Sequence, residues 1–423
     1  MSPPAPPNPA PPNPTLSRAV LPNPALSRAV LPNTTVARDK AGWNRQVRGQ
    51  MRVLLIGVLA VVTAVAVGCG GDDGGQARAS TTATAAGATT VQPDPSQPGQ
   101  SAQQDPSQIG QSGRPGQTGQ TAASRSAALL GAVCDGDAKV TDAGTVSSPD
   151  ITEASGIVAS WNGSGDGASG PWWVHNDSGD RARLFAVDGT GRLLATVELE
   201  GAEARDWEDI AVGPPASPGG PAQLYVGDIG NNAAMRSPTG ARRSIRIYRL
   251  DEPSTPRAPA AGASTASVEH ARATGFTLTY PDRAYDAEAL LVDPIDGDLI
   301  VVTKDWSATG ESQVFRASGA ATIPGGSTTA LEHVGSVPTG QATLVTAADV
   351  TRDGSVVALR SYGAVQLYSR PPGAPLWAAF EKAPCAGPRV SELQGESIGF
   401  APDGGSYLTL AEGSTPTLHR TSP

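Results

Sequence analysis

Residues 286–305 read Asp286-Ala-Glu-Ala-Leu-Leu-Val-Asp-Pro-Ile-Asp-Gly-Asp-Leu-Ile-Val-Val-Thr-Lys-Asp305. Two short aliphatic runs flank Pro294-Ile-Asp-Gly297, and a glycine that accepts positive φ in that turn makes the stretch a β-hairpin. Gln313-Val-Phe-Arg316 and Leu331-Glu-His-Val-Gly-Ser-Val337 follow it, so the hairpin opens a unit of four short strands. The unit recurs on both sides. Upstream lie Ser155-Gly-Ile157, Trp172-Trp-Val-His-Asn-Asp-Ser178, Arg183-Leu-Phe-Ala-Val-Asp188 and Leu193-Leu-Ala-Thr-Val-Glu-Leu199. A second copy runs Asp206-Trp-Glu-Asp-Ile-Ala-Val212, Leu224-Tyr-Val-Gly-Asp-Ile-Gly230, Ile245-Arg-Ile-Tyr-Arg-Leu250 and Thr274-Gly-Phe-Thr-Leu-Thr-Tyr280.

Downstream, Ala347-Ala-Asp-Val350, Val356-Val-Ala-Leu-Arg-Ser-Tyr362, Val365-Gln-Leu-Tyr-Ser369 and Leu376-Trp-Ala-Ala-Phe380 make a fourth copy. The fifth has only Gly395-Glu-Ser-Ile-Gly-Phe400, Tyr407-Leu-Thr-Leu-Ala-Glu-Gly413 and Thr417-Leu-His-Arg420. Lys139-Val-Thr-Asp-Ala-Gly-Thr-Val146 has the length and alternation to supply its missing strand, which closes a ring and removes an exposed edge. The expectation is an all-β fold, a single β-propeller of five four-stranded antiparallel blades closed by the N-terminal strand, with no helix. A β-sandwich would not generate five similar units. Residues 231–244 and 251–270 are long insertions that leave room for a sixth blade.

Composition sets the limits of this fold. From about residue 128 onward lie six of the seven tryptophans and every tyrosine and phenylalanine. The region 128–423 is therefore the propeller, and the first third, crowded with Gly and Pro, is expected to be disordered. A net charge of −9 without a basic run excludes a nucleic-acid surface.

Three basic residues, Arg45, Arg48 and Arg52, precede an uncharged run from Val53 to Gly68 that ends in Ala66-Val-Gly-Cys69. Residues 51–69 thus have the plan of a signal peptide. The cysteine makes it resemble a bacterial lipobox, which implies lipid on Cys69, a membrane anchor and an extracytoplasmic location. A short transmembrane anchor is the alternative, but spanning takes about 20 residues. Residues 1–50, with a tandem decapeptide (Pro14–Asn23, Pro24–Asn33), read as translated upstream sequence before a start near Met51, or as an extended n-region. Residues 70–127 are a polar low-complexity linker. An oxidising compartment permits disulfides, and Cys134 and Cys385 fall on the outer strands of adjacent blades, so the two are expected to bond; two free thiols are the alternative.

Aligning the five first strands on Ile157, Ile210, Leu290, Val350 and Ile398 puts Ser155, Glu208, Glu288, Ala348 and Glu396 two residues earlier. Those strands line the axis of a propeller. Carboxylates converging there repel one another, so their pKa values rise or a cation sits between them. A hard cation, Ca²⁺ above all, suits Ser155, Glu208, Glu288 and Glu396. The order Ser, Glu, Glu, small residue, Glu resembles the five-bladed calcium-activated nucleotidases, or apyrases, and Tyr225-Val-Gly-Asp-Ile-Gly230 is similar to their second blade. That resemblance implies one axial Ca²⁺, although Ala348 stands where the family has a second Ser.

The ends of the second strands and the adjoining loops are expected to form a channel mouth from His175, Asn176, Asp177, Asp206, Asp228, Asn231, Asp286, Lys304, Asp305, Arg360 and Glu412. It offers donors, acceptors and a general base. The Gly-x-Ser-x-Gly spacing of Gly395-Glu-Ser-Ile-Gly399 falls inside a first strand and not at a strand-to-helix turn, so it makes no nucleophile elbow, and no zinc or P-loop motif occurs. The reading is a monomeric surface lipoprotein whose calcium-stabilised propeller binds a small-molecule or polymer ligand. The alternative is a secreted metal-dependent hydrolase of phosphate esters or glycosides.

Overall fold

The computed structural model describes residues 121–423 apart from 163–169, 233–240, 255–265, 308 and 341–342. The expectations for residues 1–50, 51–69 with Cys69, and 70–120 lie outside the described residues. Five small sheets make up the described chain, and their first strands are Ala154–Ala159, Trp207–Gly213, Ala287–Val292, Val345–Val350 and Gly395–Phe400. Each first strand packs on the next and the fifth packs on the first, which makes the five-bladed propeller. All five first strands are buried along their whole length.

Five apolar clusters fill the seams between blades. Trp173, Leu184, Trp207, Leu224 and Tyr248 join the first blade to the second, and Tyr225, Phe276, Leu290 and Phe315 join the second to the third. Val302, Val357, Tyr368 and Phe380 pack between the third and fourth. Ile157, Trp172, Phe185 and Leu410 join the fifth to the first. Period-two alternation on the outer strands puts these side chains between sheets.

Lys139–Thr145 pairs antiparallel with Thr417–Ser422 and completes the fifth blade, as the sequence predicts. The sequence reading missed the helix before it, Ala122–Asp135, which crosses the boundary expected at residue 127. The Thr121 side chain accepts from Ser124 N at its start, and Gly136 ends it with φ 78°. Leu129 and Val133, four residues apart on one face, join Val356, Leu367, Phe400 and Tyr407 in the seam between the fourth and fifth blades. Cys134 in the last turn bonds Cys385 with a Cα–Cα distance of 4.8 Å.

Two departures concern outer strands. Leu376–Phe380, expected as a strand, lies in the 3₁₀ helix Leu376–Glu381, which turns Leu376, Ala379 and Phe380 inward; the blade's fourth strand is the two-residue Cys385–Ala386. The second insertion does not make a sixth blade. Its Ser267–Arg272 pairs parallel with Leu193–Glu200 and gives the first blade a fifth strand. Thr328–Ala330 extends the second blade in the same way, beside Thr274–Thr279.

Every first strand carries a register shift against its second strand at the same repeat position, and the residues skipped are Ser155, Glu208, Glu288, Thr346 and Glu396. Such a bulge re-aims one side chain out of the ladder. The fourth blade thus contributes Thr346, and Ala348 aligns instead with Ile157, Ile210, Leu290 and Ile398. Both Ala348 and Val350 are buried and apolar, so hydrophobic pattern alone does not choose between them.

Candidate functional site at the channel mouth

The five bulges build a ring of Ser155, Glu208, Glu288, Thr346 and Glu396, each buried. Ser155 Oγ donates to Glu208 O at 2.6 Å and Thr346 Oγ1 to Gly395 O at 2.8 Å, so each hydroxyl ties its blade to the next. The three glutamates are the charged members. Burial pushes Glu208 and Glu288 well above the usual carboxylate range and raises Glu396, and neighbouring Asp177, Asp206 and Asp286 add to the first two.

A second ring comes from the residue after each second strand: Asp177, Ile229, Lys304, Tyr362 and Glu412. Lys304 Nζ lies 2.9 Å from Glu288 Oε1 and donates to the Tyr362 hydroxyl at 3.0 Å. Burial opposes its charge, yet Glu288, Tyr362, Glu396 and Glu208 outweigh that and hold its pKa well above the usual value. Burial lifts Asp177 to about 7 against the Ser178 amide, with Asp206 and Glu396 adding to the rise. Burial likewise brings Asp206 to about 6 and, with Glu396 and Asp177, Glu412 to about 8. The Lys304 ammonium therefore acts on Asp177, Glu208, Glu288, Glu396 and Glu412, while Arg242 acts on Asp206 and Arg360 on Glu396.

Asp177, Asp206 and Glu208 converge, each offering one oxygen within 4.8 Å of the others. Asp177 leaves the second strand of the first blade, while Asp206 and Glu208 flank Trp207 at the start of the second blade. Gly230 makes the space: a Cβ there would strike Glu208 Oε1 and lie 2.9 Å from Asp206 Cγ.

The other expected mouth residues brace the wall. Asp228 pairs with Arg242 at 2.7 Å, and Asn231 Nδ2 donates to Arg242 O and Tyr285 O. Asp286 accepts from Asn231 N and, at 2.6 Å, from Trp306 Nε1. Arg360 pairs with buried Glu392, whose other oxygen meets His419 Nδ1 at 2.8 Å and Thr409 Oγ1 at 3.1 Å. Glu412 accepts from Gln394 Nε2 at 2.6 Å. Three residues face elsewhere. His175 is fully buried, edge-on to Trp207, with burial lowering its pKa to about 4. Asn176 clamps the loop before the first strand, accepting from Thr152 N and Glu153 N and donating to Asp150 O. Asp305 caps its own loop through Ser307, Thr309 and Gly310, which lower its pKa against burial.

Below the ring sits Asp209, which the sequence reading did not single out. Its Oδ2 accepts from Leu290 N at 2.9 Å and Ala348 N at 3.1 Å, and its Oδ1 from Ile210 N, so one carboxyl joins three blades. Asp349 reaches the fifth blade in the same manner through Phe400 N at 2.6 Å. Their only sequence signal is position, one residue after a ring member and one after an anchor. Neither a protein-family model nor a curated protein matches this chain.

Oxygen donors of this kind suit a hard divalent cation such as Ca²⁺. On the axis, where Ser155, Glu208, Glu288 and Glu396 would hold a cation, the Lys304 ammonium contacts Glu288 directly. Asp177, Asp206 and Glu208 have no salt bridge among the described residues and remain the oxygens that fit such an ion.

Proposed function

We propose that the chain is an extracytoplasmic lipoprotein, anchored by lipid on Cys69, whose propeller binds a divalent cation, Ca²⁺ above all, at its mouth and presents a ligand site there. The convergence of Asp177, Asp206 and Glu208 within 4.8 Å carries this reading, since three such groups in a desolvated site gain most from a shared cation. The Cys134–Cys385 bridge suits a compartment outside the cytoplasm. With Thr346 in the fourth blade, the ring runs Ser, Glu, Glu, Thr, Glu, which supports the likeness to calcium-activated nucleotidases on the side of ion binding. A second reading, a metal-dependent hydrolase of phosphate esters or glycosides, draws on Asp177 and Glu412, whose carboxyl pKa values burial raises to about 7 and about 8, in the range that general acid–base chemistry uses.

Thermal unfolding with Ca²⁺, with Mg²⁺ and with chelator tests the cation. The expected result is a Ca²⁺-specific rise in Tm, worth about 2.7 kcal/mol at a hundredfold excess over Kd, which Asp177→Asn abolishes. No shift with any divalent cation would sink the reading. Phosphate-ester and glycoside assays with Glu412→Gln then separate the two: a hydrolase loses turnover and keeps the Tm rise.

A further inference from the structure

We propose that Lys304 is the resident counter-ion of the mouth: its ammonium does for Glu288, in the ring that Glu288 shares with Glu208 and Glu396, what a metal would, so a divalent cation and this side chain compete. The inference rests on the cation-binding reading above and names what regulates that site.

The geometry is that of a built cation site already filled. Lys304 is 7% exposed, with Nζ against Glu288 Oε1 and the Tyr362 hydroxyl. The same nitrogen lies 4.9 Å from the centre of the Tyr362 ring and 5.2 Å from that of Trp306, within cation–π range. Trp306 is fixed in turn by its indole bond to Asp286. A carboxylate, a hydroxyl and two aromatic faces therefore surround one ammonium.

Two further observations give this cation its role. Lys304 is the one basic residue in a ring position that the other blades fill with Asp177, Ile229, Tyr362 and Glu412, so it is not a repeated feature of the fold. Glu396 Oε2 is buried without a hydrogen-bond partner among the described residues, although its residue is only 5% exposed. The ring thus keeps an acceptor that the ammonium does not use. A divalent ion arriving at Asp177, Asp206 and Glu208 shares Glu208 with Lys304 and meets its charge at short range, where repulsion is strong. Metal affinity is held down until the lysine side chain moves aside, and no other basic residue contacts the axial glutamates so closely among the described residues.

Calorimetric titration of the full chain with CaCl₂ tests this with wild type, Lys304→Met and Lys304→Arg. The expected result is about tenfold or tighter Ca²⁺ binding, or a second bound ion, in Lys304→Met, and wild-type behaviour in Lys304→Arg. Unchanged affinity and stoichiometry in Lys304→Met overturns the proposal, as does loss of binding. Removing the lysine leaves Glu288 buried and unpaired, so this variant can unfold in chelator; circular dichroism during the CaCl₂ titration then decides. Recovery of the fold as Ca²⁺ rises supports the proposal, and a chain that stays unfolded in both Ca²⁺ and Mg²⁺ refutes it. Wild type that ignores both ions while Lys304→Met binds Ca²⁺ defeats the functional reading and sustains this one. Wild type that binds with no change in the variant does the reverse, and silence in both chains ends both.

Discussion

The Cys134–Cys385 bridge closes a loop over 251 positions and ties the helix Ala122–Asp135 to the outer strand of the fourth blade. The closing strand Lys139–Thr145 follows directly, so the bridge guards the seam at which the ring zips shut. Chain-entropy arithmetic for a loop of this length gives about 5 kcal/mol, and removal of native bridges costs about 2–5 kcal/mol in practice. Unfolding entropy near 2.1 cal/mol/K per residue over about 300 residues gives about 0.6 kcal/mol/K, so the loss converts to a fall in Tm of about 3–8 °C. Differential scanning calorimetry of the Cys134→Ser/Cys385→Ser double variant measures it. Reduced wild type should show the same fall, and reductant should do nothing further to the double variant. If the Tm of the double variant, or of reduced wild type with both thiols titrating as free, stays within about 1 °C of the oxidised wild type, the helix contacts through Leu129 and Val133 hold the seam alone and the entropic account fails.

Two other outcomes follow from buried charge. His175 has a folded pKa near 4 against 6.5 unfolded, so the unfolded chain binds its proton first. Its contribution is complete above about pH 6.5 and is lost as pH falls towards 4, a difference of about 3 kcal/mol. Denaturant unfolding of wild type and His175→Gln at pH 7 and pH 4.5 should show that gap closing in acid. Asp177, Asp206 and Glu412 have raised values and act in the opposite direction, stabilising below about pH 4 and losing effect as pH rises to about 8, so only the difference between variants isolates His175. Glu392→Ala leaves Arg360 buried without its carboxylate and should cost about 3–5 kcal/mol in urea unfolding; a loss below about 1 kcal/mol would mean that solvent reaches the guanidinium.

The repeated four-strand unit was legible because hairpin turns such as Pro294-Ile-Asp-Gly297 and period-two alternation are local signals, whereas only the pairing of Ser267–Arg272 with the first blade decided five blades over six. Ring closure by Lys139–Thr145 was legible by deduction, since an unfilled fourth-strand position leaves an edge that the chain must cover. The helix was less so. Its N-terminal threonine and C-terminal glycine are visible in the sequence, but it is alanine-rich and has only a narrow apolar face, so its start merged with the polar linker. Leu376–Phe380 misled for the opposite reason, because a short apolar run suits a strand or a helical turn equally.

At the mouth, the three glutamates and the mutual exposure of their charges were readable from repeat spacing alone. The fourth ring member was not, because a first strand buried on both faces has no alternation to set its register, and only the bulge against the second strand selects Thr346 over Ala348. The partners of the charges were also beyond the sequence. Whether Lys304 points to solvent or to Glu288, whether His175 reaches the mouth or lies beneath Trp207, and how Asp209 joins amides of the third and fourth blades depend on residues brought together from distant parts of the chain. The sequence by itself determined the repeated four-strand unit, the closing strand and the three glutamates of the ring, since these rest on local period and turn chemistry. Tertiary structure alone decided which cation faces the ring, because Coulomb energy depends on distance and burial, and both are set only when the blades close.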